Sequence, residues 1–142
     1  MLGKTHLAYG VAIGVSVCYK DPFVIGFASL GSLLPDIDYP ESLLGRIIPV
    51  IPKVIPHRTI THALWIPLVL TGVYLYYPSI YLLSLILGYI GHLIQDSFTK
   101  DGVKWFYPKL KIKGFIKTGS FLEYIITALL MGITIFASTI IK

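Results

Sequence analysis

The chain has 142 residues, of which 55% are hydrophobic and 13% charged, with a formal net charge of +5 and a mean hydropathy of +0.76. Ordinary soluble domains carry about 25% charged residues. The composition therefore argues against a soluble globular protein and for an integral membrane protein built from helices. The length suits one domain, residues 1–142. The single cysteine, Cys18, lies in an apolar run as a small buried hydrophobe and cannot form an internal disulfide.

In chain order, Leu7 to Tyr19 and Phe23 to Leu34 are apolar runs divided by Lys20, Asp21 and Pro22, and they predict a helical hairpin. No small-residue cleavage pattern follows Tyr19, so residues 5–19 read as mature protein rather than a signal peptide. Each arm comes to roughly 20 Å of helix, short of the ~30 Å hydrocarbon core, and is partly embedded or packed inside the bundle. Gly10 and Gly14, one turn apart, let the first arm approach its partner closely. The stretch Pro35 to Thr61 holds Pro35, Pro40, Pro49, Pro52 and Pro56 and admits no long helix. Its apolar part, Ile47 to Ile55, predicts an interfacial or lid segment. Thr61 to Tyr77 predicts a third helix, with Pro67 kinking it or marking its true start, and Ile80 to Phe98 a fourth. Residues 99–119 hold six lysines and no internal hydrophobic run, and Phe121 to Ile141 is the clearest spanning helix. The expected fold class is all-α, a polytopic membrane bundle of about five helices.

The chemistry concentrates in Gly88 to Pro108. His92 and Asp96, four residues apart, stack on one helix face, and Gly88 leaves that stripe open to a close neighbour. Asp101 follows, then Trp105, Phe106 and Tyr107, which read as an interfacial belt. Alternating loops put Lys4, Arg46, Lys53, Arg58 and the six lysines of 99–119 at one end, against Lys20 and Lys142 at the other. Basic loops stay cytoplasmic, so the first end should face the cytoplasm and favour anionic lipid headgroups, by about 1 kcal/mol per basic group.

His6, His57, His62 and His92, and every acidic residue except Asp21, fall at this same end. Ionisable groups at membrane depth tend to mark function. Four histidines with several aspartates suit zinc, or manganese and iron less specifically, and Arg58 beside His57 can meet a phosphate with its planar fork. Plainer readings stand beside these: Asp36 and Asp38 as a helix end facing water, His57 and His62 as solvated loop residues, His92 with Asp96 as an internal hydrogen bond. Asp101-Gly102 alone reads as a turn, and Glu123 as a charge complementing a helix N-terminus.

Four motifs, THLAYG at Thr5 to Gly10, LPDID at Leu34 to Asp38, HRTITH at His57 to His62 and GHLIQDSFTKDGVKWFYP at Gly91 to Pro108, carry a resemblance across nearly the whole chain. The sequence resembles the YdjM-type family of predicted inner-membrane metal-dependent hydrolases. More distantly it is similar to the zinc-dependent phospholipase C fold, an all-helical enzyme with a multinuclear zinc site. That likeness implies metal ligands at His6, Asp36 or Asp38, His62, His92 and Asp96, with Glu123 in the place of a later helical carboxylate. The chain lacks that fold's later histidines and its free aromatic amino-terminal ligand, which reduces the implied site to one or two ions.

The function expected on both grounds is a membrane-embedded, metal-dependent phosphoesterase acting on phospholipid or lipid-phosphate at the cytoplasmic leaflet of the inner membrane. His6, His62, His92 and Asp96, with Asp36 or Asp38, hold the metal. The spare aspartate orients or deprotonates water, and Arg58, beside His57 and helped by Lys100 or Lys104, binds the phosphate. The alternative is a non-catalytic membrane scaffold, or a lipid- or metal-binding protein with a structural metal. The opposite end offers only Lys20, Asp21 and Lys142, which argues against a conduction path. The lysines of KLKIKGFIK, interleaved with apolar residues, suit a membrane surface rather than nucleic acid.

Overall fold

The computed structural model describes residues 1–141, and their side chains as far as Ile140. Helices α1 (Gly3–Cys18) and α2 (Pro22–Leu33) form the predicted hairpin. Asp21 sets the turn: its carboxylate accepts from the Phe23 N–H at 2.9 Å, and Pro22 occupies the first helical position, where its missing N–H leaves no bond unmade. A side chain at Gly14 would strike Ile25, and one at Gly10 would strike Ser29 and Ser32, so both glycines lie against α2.

Beyond α2 the prolines leave only short pieces. These are a 3-10 turn at Leu34–Asp38, α3 (Leu43–Ile47), α4 (Ile51–Val54) and a second 3-10 turn at Ile60–His62. Helix α5 (Trp65–Tyr76) starts later than the sequence predicts, and Pro67 lies in its first turn, where no helical hydrogen bond is broken. The proline marks a start, not a kink. Helix α6 (Ile80–Ser97) is the central one, with Ser84, Gly88, Tyr89, His92, Gln95 and Asp96 buried. Gly88 of α6 faces the Ala28 carbonyl, and Gly31 of α2 faces the Leu85 carbonyl, so each helix lends a glycine to their crossing.

The all-α expectation fails in residues 99–119, which form an antiparallel hairpin of β1 (Val103–Phe106) and β2 (Leu110–Ile112), with Val103 opposite Ile112 and Lys104 opposite Lys111. In KLKIK, charged and apolar residues alternate with the period of a strand. Backbone bonds of 2.9 Å from Lys100 to Ile116 and from Ile116 to Phe98 fix the segment to the end of α6, and another from Leu64 to Trp105 fixes it beside α5.

Helix α7 (Phe121–Ile141) lies along α1, with Leu130 and Met131 packed on a core of Tyr9, Ala12, Ile13 and Ala28. Among the described residues, two helices, Ile80–Ser97 and Phe121–Ile140, are long and apolar enough to cross a membrane. They measure ~27 and ~30 Å at 1.5 Å per residue. Helix α7 turns Leu129, Ile133, Phe136 and Ile140 outward, and α5 turns out Leu68, Val69 and Val73. Apolar faces this continuous call for hydrocarbon or a partner.

Candidate metal centre

At one end of the bundle, α1 supplies His6, the first 3-10 turn supplies Asp36 and Asp38, and the loop after α4 supplies His57 and Arg58. The second 3-10 turn adds His62, and α6 adds His92 and Asp96. His6, His62 and His92 are 0% exposed, and Asp38 and Asp96 1%. Among the described residues, three overlapping sets could hold an ion: Asp36, Asp38, His57 and His62; His6, Asp36 and His92; and His62, His92 and Asp96.

Hydrogen bonding behind the rings fixes which nitrogen faces inward. His92 Nδ1 meets the Ser32 carbonyl at 2.7 Å; a carbonyl only accepts, so Nδ1 carries the proton and Nε2 keeps its lone pair. His6 Nδ1 lies 2.9 Å from Gln95 Oε1, while the same amide's nitrogen donates to the Thr5 carbonyl at 3.3 Å, which orients its oxygen toward His6. The Nε2 of His6 is buried, 3.3 Å from Asp96 Oδ1, and makes no aligned hydrogen bond among the described residues. The two rings stack, with centroids 3.6 Å apart.

The inward atoms lie at metal-ligand spacings. His62 Nε2 is 3.3 Å from His92 Nε2 and 3.4 Å from Asp36 Oδ1. His92 Nε2 is 3.7 Å from Asp36 Oδ1, and Asp96 Oδ2 is 3.8 Å from both ring nitrogens. A tetrahedral ion with bonds of about 2.0–2.1 Å holds its ligand atoms about 3.3–3.4 Å apart. Lone pairs and carboxylates packed this closely require a cation or a proton between them.

Without an ion, the proton falls on His62. Burial works to lower its pKa, but the carboxylates of Asp36, Asp38 and Asp96 outweigh burial and raise it to about 9. Burial likewise works to raise the Asp36 carboxyl, and the imidazoles of His92, His62 and His6 together bring it down to about 2. Asp38, also buried, is held below the usual carboxylate range by hydrogen bonds from His57 and His62.

Asp38 stands behind the rings. It takes His57 Nδ1 at 2.7 Å, the Arg58 N–H at 3.0 Å and the Thr61 hydroxyl, and lies 3.4 Å from His62 Nδ1. Arg58 has φ 61°, a left-handed conformation uncommon outside glycine. Its guanidinium reaches Asp96 Oδ2 at 3.3 Å and Asp101 Oδ2 at 3.4 Å, and donates to the Gly102 carbonyl at 3.4 Å. The Met1 amine also donates to Asp96 Oδ1.

Glu123 is not brought into this group. Fully buried, it accepts from the Leu2 N–H at 2.6 Å and from the Thr5 hydroxyl and Gly119 N–H at 2.7 Å each, which ties the start of α7 to the start of α1. Its oxygens face backbone and hydroxyl donors, and it belongs to none of the candidate ion-binding sets. Sequence reasoning missed Gln95, for which the available signal was an uncharged polar residue in an apolar helix between His92 and Asp96. It also read Asp101 as turn chemistry, whereas Asp101 holds Arg58.

A cleft of about 970 Å³ opens onto Asp36, His57 and Arg58. No solved structure matches the chain significantly. The uncharacterized protein YvsG of Bacillus subtilis is 34% identical over 90% of this chain and 88% of its own length. The inner membrane protein YdjM of Escherichia coli is 33% identical over 60% of this chain, and that match spans about half of YdjM, 49%. The family profile described as YdjM inner membrane protein matches residues 1–141, from the buried His6 of α1 to the end of α7, and the chain belongs to that family.

Proposed function

We propose that the chain is a polytopic, membrane-embedded, metal-dependent hydrolase, a phosphoesterase acting on phosphate-bearing lipid at the cytoplasmic leaflet. One observation carries this reading: inward lone pairs and carboxylate oxygens 3.3–3.8 Å apart, each ring held from behind by an acceptor. His62, His92, Asp36 and Asp96, with His6 beside them, would hold one or two divalent ions of zinc type. When bound, such an ion lowers the pKa of a bound water toward ~7 and polarises a phosphoryl oxygen.

The chain's own residues do the rest. Asp38 fixes His62 and His57 in orientation. Arg58, steadied by Asp101 and the Gly102 carbonyl, offers its fork to phosphate oxygens. His57, one-third exposed and lining the cleft, is placed to pass a proton to the leaving oxygen, its Nδ1 backed by Asp38. A structural metal site is closed to substrate, whereas this one meets an open cleft through Asp36, which favours catalysis over a scaffold. The excess of lysine and arginine at this end supports a cytoplasmic orientation.

The test is hydrolysis of phosphatidic acid and of phospholipids by the zinc-loaded protein in detergent, beside His92→Ala and Arg58→Ala. His92→Ala should lose both metal and turnover. Arg58→Ala should keep metal and lose turnover by about 100-fold or more. A folded, metal-loaded wild type that hydrolyses no lipid phosphate sinks the phosphoesterase reading.

A further inference from the structure

The cleft beside the metal centre has two kinds of wall. One is cationic: Lys4, Arg46, Arg58, Lys100 and Lys111 line it, against the acids Asp36, Glu41 and Asp101. The other is apolar, made by Leu7, Leu33, Leu43 and Leu44. A cleft for a water-soluble phosphate gains nothing from leucines at its mouth.

These leucines do not end at the cleft. Leu7 of α1 is 39% exposed, and so is Val11, one turn farther along the same face. On α2, exposed Leu30 lies one turn before Leu33. On α3, Leu43 and Ile47 are both well exposed and one turn apart. Apolar strips thus run out of the cleft along three helices. By contrast, the groove between α1, α6 and α7 is lined by Tyr9, Ile13, Val17, Ile90, Ile133 and their neighbours, with no lysine or arginine among its lining residues. Cations and a continuous apolar edge coincide only at the first of these two clefts.

We propose that a phosphate-bearing membrane lipid enters this cleft sideways from the leaflet. Its anionic headgroup lies among Arg46, Arg58, Lys100 and Lys111, while its acyl chains stay outside along Leu7 and Val11 of α1. The proposal rests on the phosphoesterase reading for its purpose, but not for its chemistry. Binding needs only the cations and the apolar edge. Charge complementarity draws the headgroup, and the chains never leave hydrocarbon, so the lipid pays little desolvation on entry.

The test uses protein stripped of metal with EDTA in phosphatidylcholine nanodiscs, with Cys18→Ser as background. A fluorophore is attached at Val11→Cys or, as control, at Val69→Cys on the outward face of α5. Acyl-chain spin-labelled phosphatidic acid is compared with spin-labelled phosphatidylcholine as quencher. Phosphatidic acid should be enriched at Val11 by about fivefold, the effect of one basic group, with no comparable excess at Val69. Arg46→Ala with Lys111→Ala should remove that excess. Equal quenching by the two lipids at Val11, or the same excess at Val69, overturns the proposal. No turnover is read here, so a specific excess at Val11, set beside a zinc-loaded protein that hydrolyses no lipid phosphate, upholds lateral entry and rejects only the phosphoesterase reading.

Discussion

Helices α6 and α7 are similar in length, 18 and 21 residues, and both are apolar enough to cross a membrane. They are otherwise opposite. Half of α6 is enclosed by other elements, and its polar residues, His92, Gln95 and Asp96, all face buried partners. Helix α7 is mostly exposed: it buries Glu123 and Thr127 and only partly covers Leu130 and Met131. Each helix places a buried carboxylate near the same end of the bundle, but Asp96 meets imidazoles and Glu123 meets N–H groups and a hydroxyl. Hydropathy finds a span; only the partners of its polar groups tell a site from a clasp.

The largest expected effect separates these two acids. Asp96→Asn should weaken zinc binding by about 100-fold or more, beyond the 10–100-fold usual for an outer-shell change. Glu123→Gln should keep zinc and lower stability by about 1.5–3 kcal/mol, because it removes the charge that its donors address. Zinc titration and thermal unfolding in detergent read both. Zinc lost in Glu123→Gln and kept in Asp96→Asn would reverse the assignment.

Next comes pH. The pKa of His62, about 9 in the fold, lies above its ordinary 6.5. In the ion-free protein this stabilisation is fully present below pH 6.5 and is lost as pH rises through about 9. An ion must displace that proton, so zinc affinity should climb about tenfold per pH unit across the same window. An EDTA-treated protein whose Tm is flat over this range, with zinc affinity also flat, would remove His62 as the proton-bearing ligand.

The smallest effects contrast packing. Gly88→Ala drives a methyl onto the Ala28 carbonyl and should cost about 1–3 kcal/mol. Gly132→Ala on α7 meets nothing within 4 Å among the described residues and should leave stability within about 0.5 kcal/mol. Equal effects in denaturation would mean that α7 is enclosed as α6 is.

Much of this arrangement was legible in the residues. The four-residue spacing of His92 and Asp96 does turn both toward one centre, their Nε2 and Oδ2 atoms 3.8 Å apart. Gly10, Gly14 and Gly88 do mark close approaches, because a missing Cβ has a simple steric meaning. The hairpin was not legible for a physical reason: KLKIK fits both a strand and a basic apolar surface, and only pairing to Val103–Phe106 decides between them. The two short helices of the proline-rich stretch were hidden because proline forbids a long helix but not a single turn. Glu123 was assigned to the metal by resemblance, and which partners a buried carboxylate meets depends on how α1 and α7 pack, a property no local spacing carries.

If His62, His92, Asp36 and Asp96 surround a divalent ion, zinc X-ray absorption with elemental analysis on the purified protein, beside His92→Ala, will see it. The purified protein should carry one or two equivalents of metal with imidazole scattering and bonds of about 2.0–2.1 Å, lost in the variant. No bound metal, with none gained on incubation with zinc, manganese or iron, would contradict it and leave a buried polar cluster in its place.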